Sequence, residues 1–132
     1  MWSKPPVCIP AALLIFALTG GHGTLAAQNA AKSAADTAVV TDEITDQGRK
    51  VFHGQGTCYA CHGAKLQGGP IAPTLLGPKW RNGDGSFDMI LHVLRGGVPG
   101  TVMVAHPGGI TDAQLIQVAT YVYAASHGLA KP

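Results

Sequence analysis

Apolar positions recur at helical spacing most clearly between Thr111 and Gly128. Thr111 and Gln114 form the pattern of a capping box, in which each side chain bonds the backbone N–H of the other residue at a helix start. His127 and Gly128 are residues that commonly close a helix. One helical face between these ends comprises Leu115, Val118, Ala119 and Val122. The pattern predicts a helix that begins after Thr111 and is closed by His127 and Gly128.

Two earlier segments carry the same kind of pattern. Thr41 precedes two acidic residues that favour the positive end of a helix dipole. Ser86 is a good N-cap for a helix that runs to Arg95 and ends at Gly96 and Gly97. The apolar faces comprise Ile44, Gly48, Val51 and Phe52 in the first segment, and Phe87, Ile90, Leu91 and Leu94 in the second. No segment shows the sustained alternation of a strand, so the sequence predicts a mainly α domain.

Glycine and proline interrupt these helices. Residues 53–57 contain two glycines and end the first helix, and residues 63–78 contain four glycines and three prolines, which predicts a loop. Gly48 is unusual, because glycine inside a helix costs about 1 kcal/mol relative to alanine. It indicates either the close approach of another backbone or an early helix end, and the sequence leaves both open.

The N-terminal region has the pattern of an export signal. Lys4 supplies a positive charge, Val7 to Leu18 is apolar apart from Pro10, and a small-residue run ending at Ala27 suits cleavage. The apolar run is shorter than the roughly 20 residues that span a bilayer, which disfavours an uncleaved anchor. We predict a signal peptide at residues 1–27, a flexible Ala-rich leader at 28–40 and one folded domain at 41–129, with no membrane span in the mature chain.

The charged residues and the cysteines limit which partners and cofactors the chain can bind. Without the signal, the chain has eight Lys and Arg residues and seven Asp and Glu residues, and the basic residues form no tract. We therefore expect no nucleic-acid partner. The chain has no internal repeat, which favours a single cofactor site, and we expect a monomer. Cys8 would leave with the signal, so Cys58 and Cys61 would be the only thiols of the mature chain.

Cys58, Cys61 and His62 form a C-x-x-C-H motif. The two thiols can add to the vinyl groups of haem as thioethers, and the adjacent imidazole can coordinate the iron. A C-x-x-C pair without the histidine would be ambiguous between zinc, a redox disulfide and haem. A zinc or thiol-redox module lacks a second ligand pair here, because the mature chain would hold no further cysteine. The motif therefore predicts one covalently bound haem c and its iron.

The ordered set of features resembles the small class I (monohaem) cytochromes c over about residues 42–128. Besides the motif, it comprises Gly48 and Phe52 in the first helix, Pro73 and Leu75, Trp80, the segment from Gly97 to Met103, and Tyr121 in the last helix. The resemblance implies an all-α fold with three to five helices wrapped around the haem. It also implies that Gly48, Phe52 and Tyr121 form a close helix crossing.

The resemblance also implies a ligand set. His62 and Met103 would be the axial iron ligands, the backbone carbonyl of Pro73 would fix the His62 ring, and the Trp80 indole would donate to a haem propionate. Val104 follows Met103 where the family often has proline. His106 remains an alternative ligand to Met103, and Pro70 is an alternative to Pro73.

These features predict an electron-transfer protein of the periplasm or another exported location, without catalytic residues. Single electrons would pass to and from redox partner proteins through an iron with both axial positions filled, which leaves no place for substrate. One alternative is a subunit stably associated with a periplasmic dehydrogenase or respiratory complex. Another is a haem-based ligand-binding or sensor protein in which Met103 dissociates.

Overall fold

The computed structural model describes residues 40–132, in which four α-helices and one 3₁₀ turn surround a cleft. The predicted signal peptide and nearly all of the leader lie outside these residues. The elements are α1 (Asp42–His53), α2 (Tyr59–His62), α3 (Phe87–Gly96), the 3₁₀ turn (Pro107–Gly109) and α4 (Asp112–Ser126). The described part of the chain has no strand, so the predicted all-α class is confirmed.

Side-chain caps begin the three longer helices, as the sequence predicts. Thr41 accepts a hydrogen bond from the Ile44 N–H at 3.3 Å, and Ser86 accepts one from the Met89 N–H at 3.3 Å. At α4, the Thr111 hydroxyl accepts from the Gln114 N–H at 3.3 Å, and the Gln114 side chain accepts from the Thr111 N–H at 2.9 Å. Each cap satisfies backbone donors that have no partner within the helix.

Helices α1 and α4 cross at Gly48. A Cβ atom on this residue would overlap the backbone carbonyl of Gln117, so the close approach of another backbone, not an early helix end, explains the glycine. Next to the crossing, the rings of Phe52 and Tyr121 meet edge-on with their centroids 5.5 Å apart. The buried face of α1 includes Thr45, whereas the predicted Ile44 is only half-buried.

Helix α3 buries all four residues of its predicted face against α4. The segment between α2 and α3 lacks regular structure, as predicted, but it is anchored by Leu66, which is fully buried. The Leu75 N–H donates to the Leu66 carbonyl at 2.8 Å, which ties the middle of this segment to its beginning. No helix within residues 40–132 has both the length and the apolar character needed to cross a bilayer.

Candidate functional site

One cleft of about 390 Å³ lies between α2, α3, α4 and the two long connecting segments. Its volume lies within the range typical of cofactor and ligand sites. Every residue that the sequence assigns to the haem site lines it: Cys58, Cys61, His62, Pro73, Trp80 and Met103. The fold therefore brings together side chains that are separated by up to 45 positions in the sequence.

His62 is oriented by the backbone carbonyl of Pro73, which also lines the cleft. Its Nδ1 atom lies 3.0 Å from the carbonyl oxygen of Pro73, the contact that the resemblance implies. A carbonyl oxygen can only accept, so Nδ1 carries the proton and donates. The other ring nitrogen, Nε2, is then the unprotonated atom that can coordinate a metal. Pro70, the alternative to Pro73, is exposed and does not line the cleft.

The two thiols lie three residues apart on one short helical turn, with Cys58 as the N-cap of α2 and Cys61 within the helix. The His62 N–H donates to the Cys58 carbonyl at 3.0 Å, which places both cysteines and the histidine around the same turn. The Cys58 thiol donates to the Gly56 carbonyl at 3.4 Å. Burial raises the pKa of Cys58 to about 11, so this thiol is neutral at pH 7. Both thiols are free and partly accessible from the cleft.

Met103 is presented by a hydrogen-bonded loop. The Val98 N–H donates to the Met103 carbonyl at 2.8 Å, and the Met103 N–H donates to the Thr101 hydroxyl at 3.1 Å. The same hydroxyl donates to the Val98 carbonyl at 2.8 Å. These bonds close the loop on itself and hold the half-buried methionine against the cleft.

His106 is placed differently from Met103. It does not line the cleft, and its Nδ1 atom donates to the Ile110 carbonyl at 3.0 Å. Its backbone N–H donates to the Leu94 carbonyl at 2.9 Å, which ties the loop to α3, whereas the ring bond to Ile110 lies within the loop itself. This arrangement gives His106 a structural role within the described fold.

Trp80 lines the cleft and packs closely against backbone. Its indole lies so close to Gly85, a buried residue at φ 78°, that a Cβ atom there would overlap the indole nitrogen. The neighbouring Arg81 and Asn82 also line the cleft, which sequence reasoning missed. Their position directly after Trp80 is a signal that could have identified them.

Three apolar side chains at the cleft are unusually exposed. Ile71 is 63% exposed, Val102 is 72% exposed and Val104 is 59% exposed. All three line the cleft, and two of them flank Met103 in the chain. Sequence reasoning did not single them out as surface residues, because apolar side chains are normally predicted to be buried.

The chemistry of the cleft fits an iron porphyrin. Its lining is mostly apolar, as a flat hydrophobic macrocycle requires, and the two thiols can form thioethers with vinyl groups. The free His62 Nε2 and the Met103 sulfur are donors suited to haem iron. Within residues 40–132, no group of three or more His, Cys, Asp or Glu side chains could hold a metal ion by itself.

Residues 43–122 match the family model described as cytochrome C oxidase, cbb3-type, subunit III. This match covers most of the described residues and includes all the cleft residues assigned from sequence. No curated protein and no solved structure matches the chain significantly.

Proposed function

Because the chain belongs to the cbb3-type cytochrome c oxidase subunit III family of c-type cytochromes, we propose that it is an exported monohaem electron carrier with His62 and Met103 as axial iron ligands. When bound, haem c supplies an iron that exchanges one electron between its ferric and ferrous forms. The observation that carries the proposal is the cleft shared by Cys58, Cys61, His62 and Met103.

Each of these residues has a distinct task. Cys58 and Cys61 would hold the cofactor through thioethers, and His62 would coordinate through Nε2 because Pro73 occupies Nδ1. Met103 would supply a soft sulfur ligand, which favours the ferrous form and raises the reduction potential relative to a second histidine. With His62 and Met103 both serving as iron ligands, no position at the iron would be left for substrate or dioxygen. The residues therefore support electron transfer rather than catalysis.

The cleft also limits the reorganisation that accompanies electron transfer. Ligands held by short hydrogen-bonded loops move little, and an apolar lining excludes most water. The exposed side chains of Ile71, Val102 and Val104 form an apolar rim at the cleft. Such a rim suits a small and transient contact with redox partners, because it can be desolvated quickly on docking. The edge near Cys58 and Cys61 is the proposed exit for the electron.

A second candidate is a stable subunit of a larger oxidoreductase, which the description of the matching family favours. The haem chemistry would be the same, but the interface would be permanent. Gel filtration and affinity purification from the source membrane fraction would separate the two: a free monomer that reduces several oxidants supports the carrier, and stoichiometric co-purification with a larger enzyme supports the subunit.

Optical spectra of the purified protein in both oxidation states test the proposal. We expect covalent haem that resists acid–organic extraction, and low-spin spectra with the weak near-infrared absorption of methionine-ligated ferric haem. Carbon monoxide should not bind the reduced protein at neutral pH. Rapid carbon monoxide binding would instead support the ligand-binding or sensor alternative, and extractable or absent haem would reject the proposal.

A further inference from the structure

The backbone just after the Met103 loop (residues 97–105) packs against the backbone that leads into the haem motif (residues 58–62). A Cβ atom on Gly108 would overlap the backbone carbonyl of Gln55 and would lie 3.1 Å from the Cα atom of Gly56. Gly108 has a φ of 68°, which glycine adopts without strain. Both segments supply residues that line the cleft: Gly56, Thr57, Pro107 and Gly108. The contact therefore joins the chain near one proposed iron ligand to the chain near the other.

The side chain of Gln55 adds two hydrogen bonds to this contact. Its Nε2 atom donates to the Gly109 carbonyl at 3.4 Å, and its Oε1 atom accepts from the Gln114 Nε2 atom at 3.1 Å. These partners lie 54 and 59 positions away in the sequence. One exposed amide thus connects the segment before the haem motif to the turn after the Met103 loop and to the first turn of α4.

The Met103 loop is held at two other places. The Val98 N–H donates to the Met103 carbonyl within the loop at 2.8 Å, and the His106 N–H donates to the Leu94 carbonyl of α3 at 2.9 Å. Of these three attachments, the contact at Gly108 is the one that reaches the segment before the haem motif. Another ligand can replace Met103 only if room opens at the iron, and the loop provides that room when it moves away from the haem motif.

We propose that the contact between Gln55 and Gly108 keeps Met103 on the iron by holding its loop against the haem motif, with both residues acting as positioning residues. This inference rests on the proposed haem site and on Met103 as a ligand. A thioether is a weak ligand of ferric iron, so a nitrogen ligand replaces it once the loop has opened. The contact would slow this exchange and keep the sixth position closed, as an electron carrier requires.

Displacement of Met103 by imidazole in the ferric holoprotein tests the inference. The bond between the iron and the Met103 sulfur breaks, and a bond between the iron and an imidazole nitrogen forms, while the iron stays ferric. Stopped-flow absorbance follows the loss of the near-infrared methionine band. At imidazole concentrations where the observed rate no longer rises, that rate is the rate of Met103 dissociation.

Gly109→Ala is the matched control for Gly108→Ala. Both glycines have a φ of 68°, so an alanine at either position has the same backbone strain. A Cβ atom on Gly109 would meet nothing within 4 Å, whereas one on Gly108 would overlap the Gln55 carbonyl. The difference between the two variants therefore measures the packing contact and excludes the shared strain.

A second pair of variants decides the question if Gly108→Ala fails to fold. Gln55→Ala removes the two side-chain hydrogen bonds and leaves the backbone contact in place. Gln47→Ala is its control, because the Gln47 Oε1 atom accepts from the Gln117 Nε2 atom at 2.7 Å and neither of these residues lines the cleft. Denaturant titration of the holoproteins distinguishes a loss of global stability from faster ligand exchange.

We expect Met103 to dissociate about tenfold faster in Gly108→Ala than in Gly109→Ala, the effect of overpacking a tight contact. Dissociation in Gln55→Ala should be about fivefold faster than in the wild type, the effect of one neutral hydrogen bond. Gln47→Ala should keep the wild-type rate even if its global stability falls. Equal rates in the two glycine variants, or a wild-type rate in Gln55→Ala, would overturn the inference and leave the haem site intact. Failure of the proposed function would instead appear as missing covalent haem or a missing methionine band in the wild type.

Discussion

At the scale of single residues, the surroundings of Met103 and His106 distinguish two side chains that the sequence leaves as rivals. Both belong to the loop before α4, three positions apart. Met103 lines the same cleft as the His62 motif, whereas the His106 ring donates to the Ile110 carbonyl and does not line the cleft. An imidazole engaged in this way would have to break a hydrogen bond and rearrange its loop before it could reach an iron.

Met103→Ala should therefore give a high-spin haem that binds external ligands and has a lower reduction potential. The soft sulfur ligand favours the ferrous form, so its loss lowers the reduction potential. His106→Ala is the matched control and should leave the low-spin spectrum unchanged. Optical spectra of both variants, with and without carbon monoxide, provide the measurement. An unchanged spectrum in Met103→Ala would reject this residue as the ligand.

The buried hydroxyl of Tyr121 affects the stability of the fold. The residue is fully buried, yet its hydroxyl finds no hydrogen-bond partner among the described residues. A buried polar group without a partner costs roughly 1–3 kcal/mol. The Arg49 guanidinium lies over the Tyr121 ring at 5.2 Å, and phenylalanine would keep both this contact and the edge-on contact with Phe52. We predict that Tyr121→Phe raises the free energy of unfolding by about 1 kcal/mol, measured by denaturant titration of the holoprotein.

The pH dependence of the same variant gives a second prediction. Burial raises the pKa of Tyr121 above its ordinary value of 10.0, and Arg49 partly opposes the shift. A raised pKa means that the folded state binds the proton more tightly than the unfolded state. The stability from this group is therefore complete below the unfolded pKa and decreases as the pH rises through the folded pKa. The stability difference between Tyr121→Phe and wild type should widen above about pH 10; a constant difference would contradict the burial argument.

At the scale of elements, the crossing of α1 and α4 depends on the missing side chain of Gly48. A Cβ atom there would overlap the Gln117 carbonyl, and backbone cannot move aside without separating the helices. We predict that Gly48→Ala lowers the free energy of unfolding by about 2–3 kcal/mol, the cost of overpacking a tight contact.

Gly96→Ala is the control for this prediction. Gly96 ends α3, and a Cβ atom there would meet nothing within 4 Å. The same substitution should be neutral or stabilising by about 0.5 kcal/mol, because alanine restricts the unfolded chain. Thermal unfolding of both holoproteins checks the pair, and similar losses at the two positions would refute the packing explanation.

The elements also show which parts of the fold a sequence reveals. Caps such as Thr41, Ser86 and Thr111 depend on neighbours within three residues, so their positions were predicted correctly. The left-handed backbone of Thr57, Leu66 and His106 was not predicted, because long-range packing holds it. The cleft residues assigned from sequence came from a motif and a resemblance, which did not extend to Arg81 and Asn82 directly after Trp80.

At the scale of the whole molecule, the cleft lies where a core would be. Its apolar walls come from all the helices, and a cleft of about 390 Å³ kept dry would cost on the order of 9 kcal/mol at about 24 cal/mol per Å³. That cost is comparable to the entire stability of a typical domain, about 5–15 kcal/mol. The glycine-rich loops cannot close the gap, because they contribute few large apolar side chains. A bound haem would therefore fill the central part of the core.

We predict that the chain without haem is largely unfolded. Cys58→Ser/Cys61→Ser, produced without haem, should lack the helical circular dichroism signal and the cooperative unfolding of the holoprotein. Adding free haem to this variant should recover much of the helical signal, because packing on the macrocycle, rather than the thioether bonds, provides the missing apolar surface. A native-like spectrum for the haem-free variant would show that the protein core is sufficient by itself. Unchanged disorder after haem addition would assign the effect to the covalent bonds, since the thioethers limit how far an attached chain can unfold.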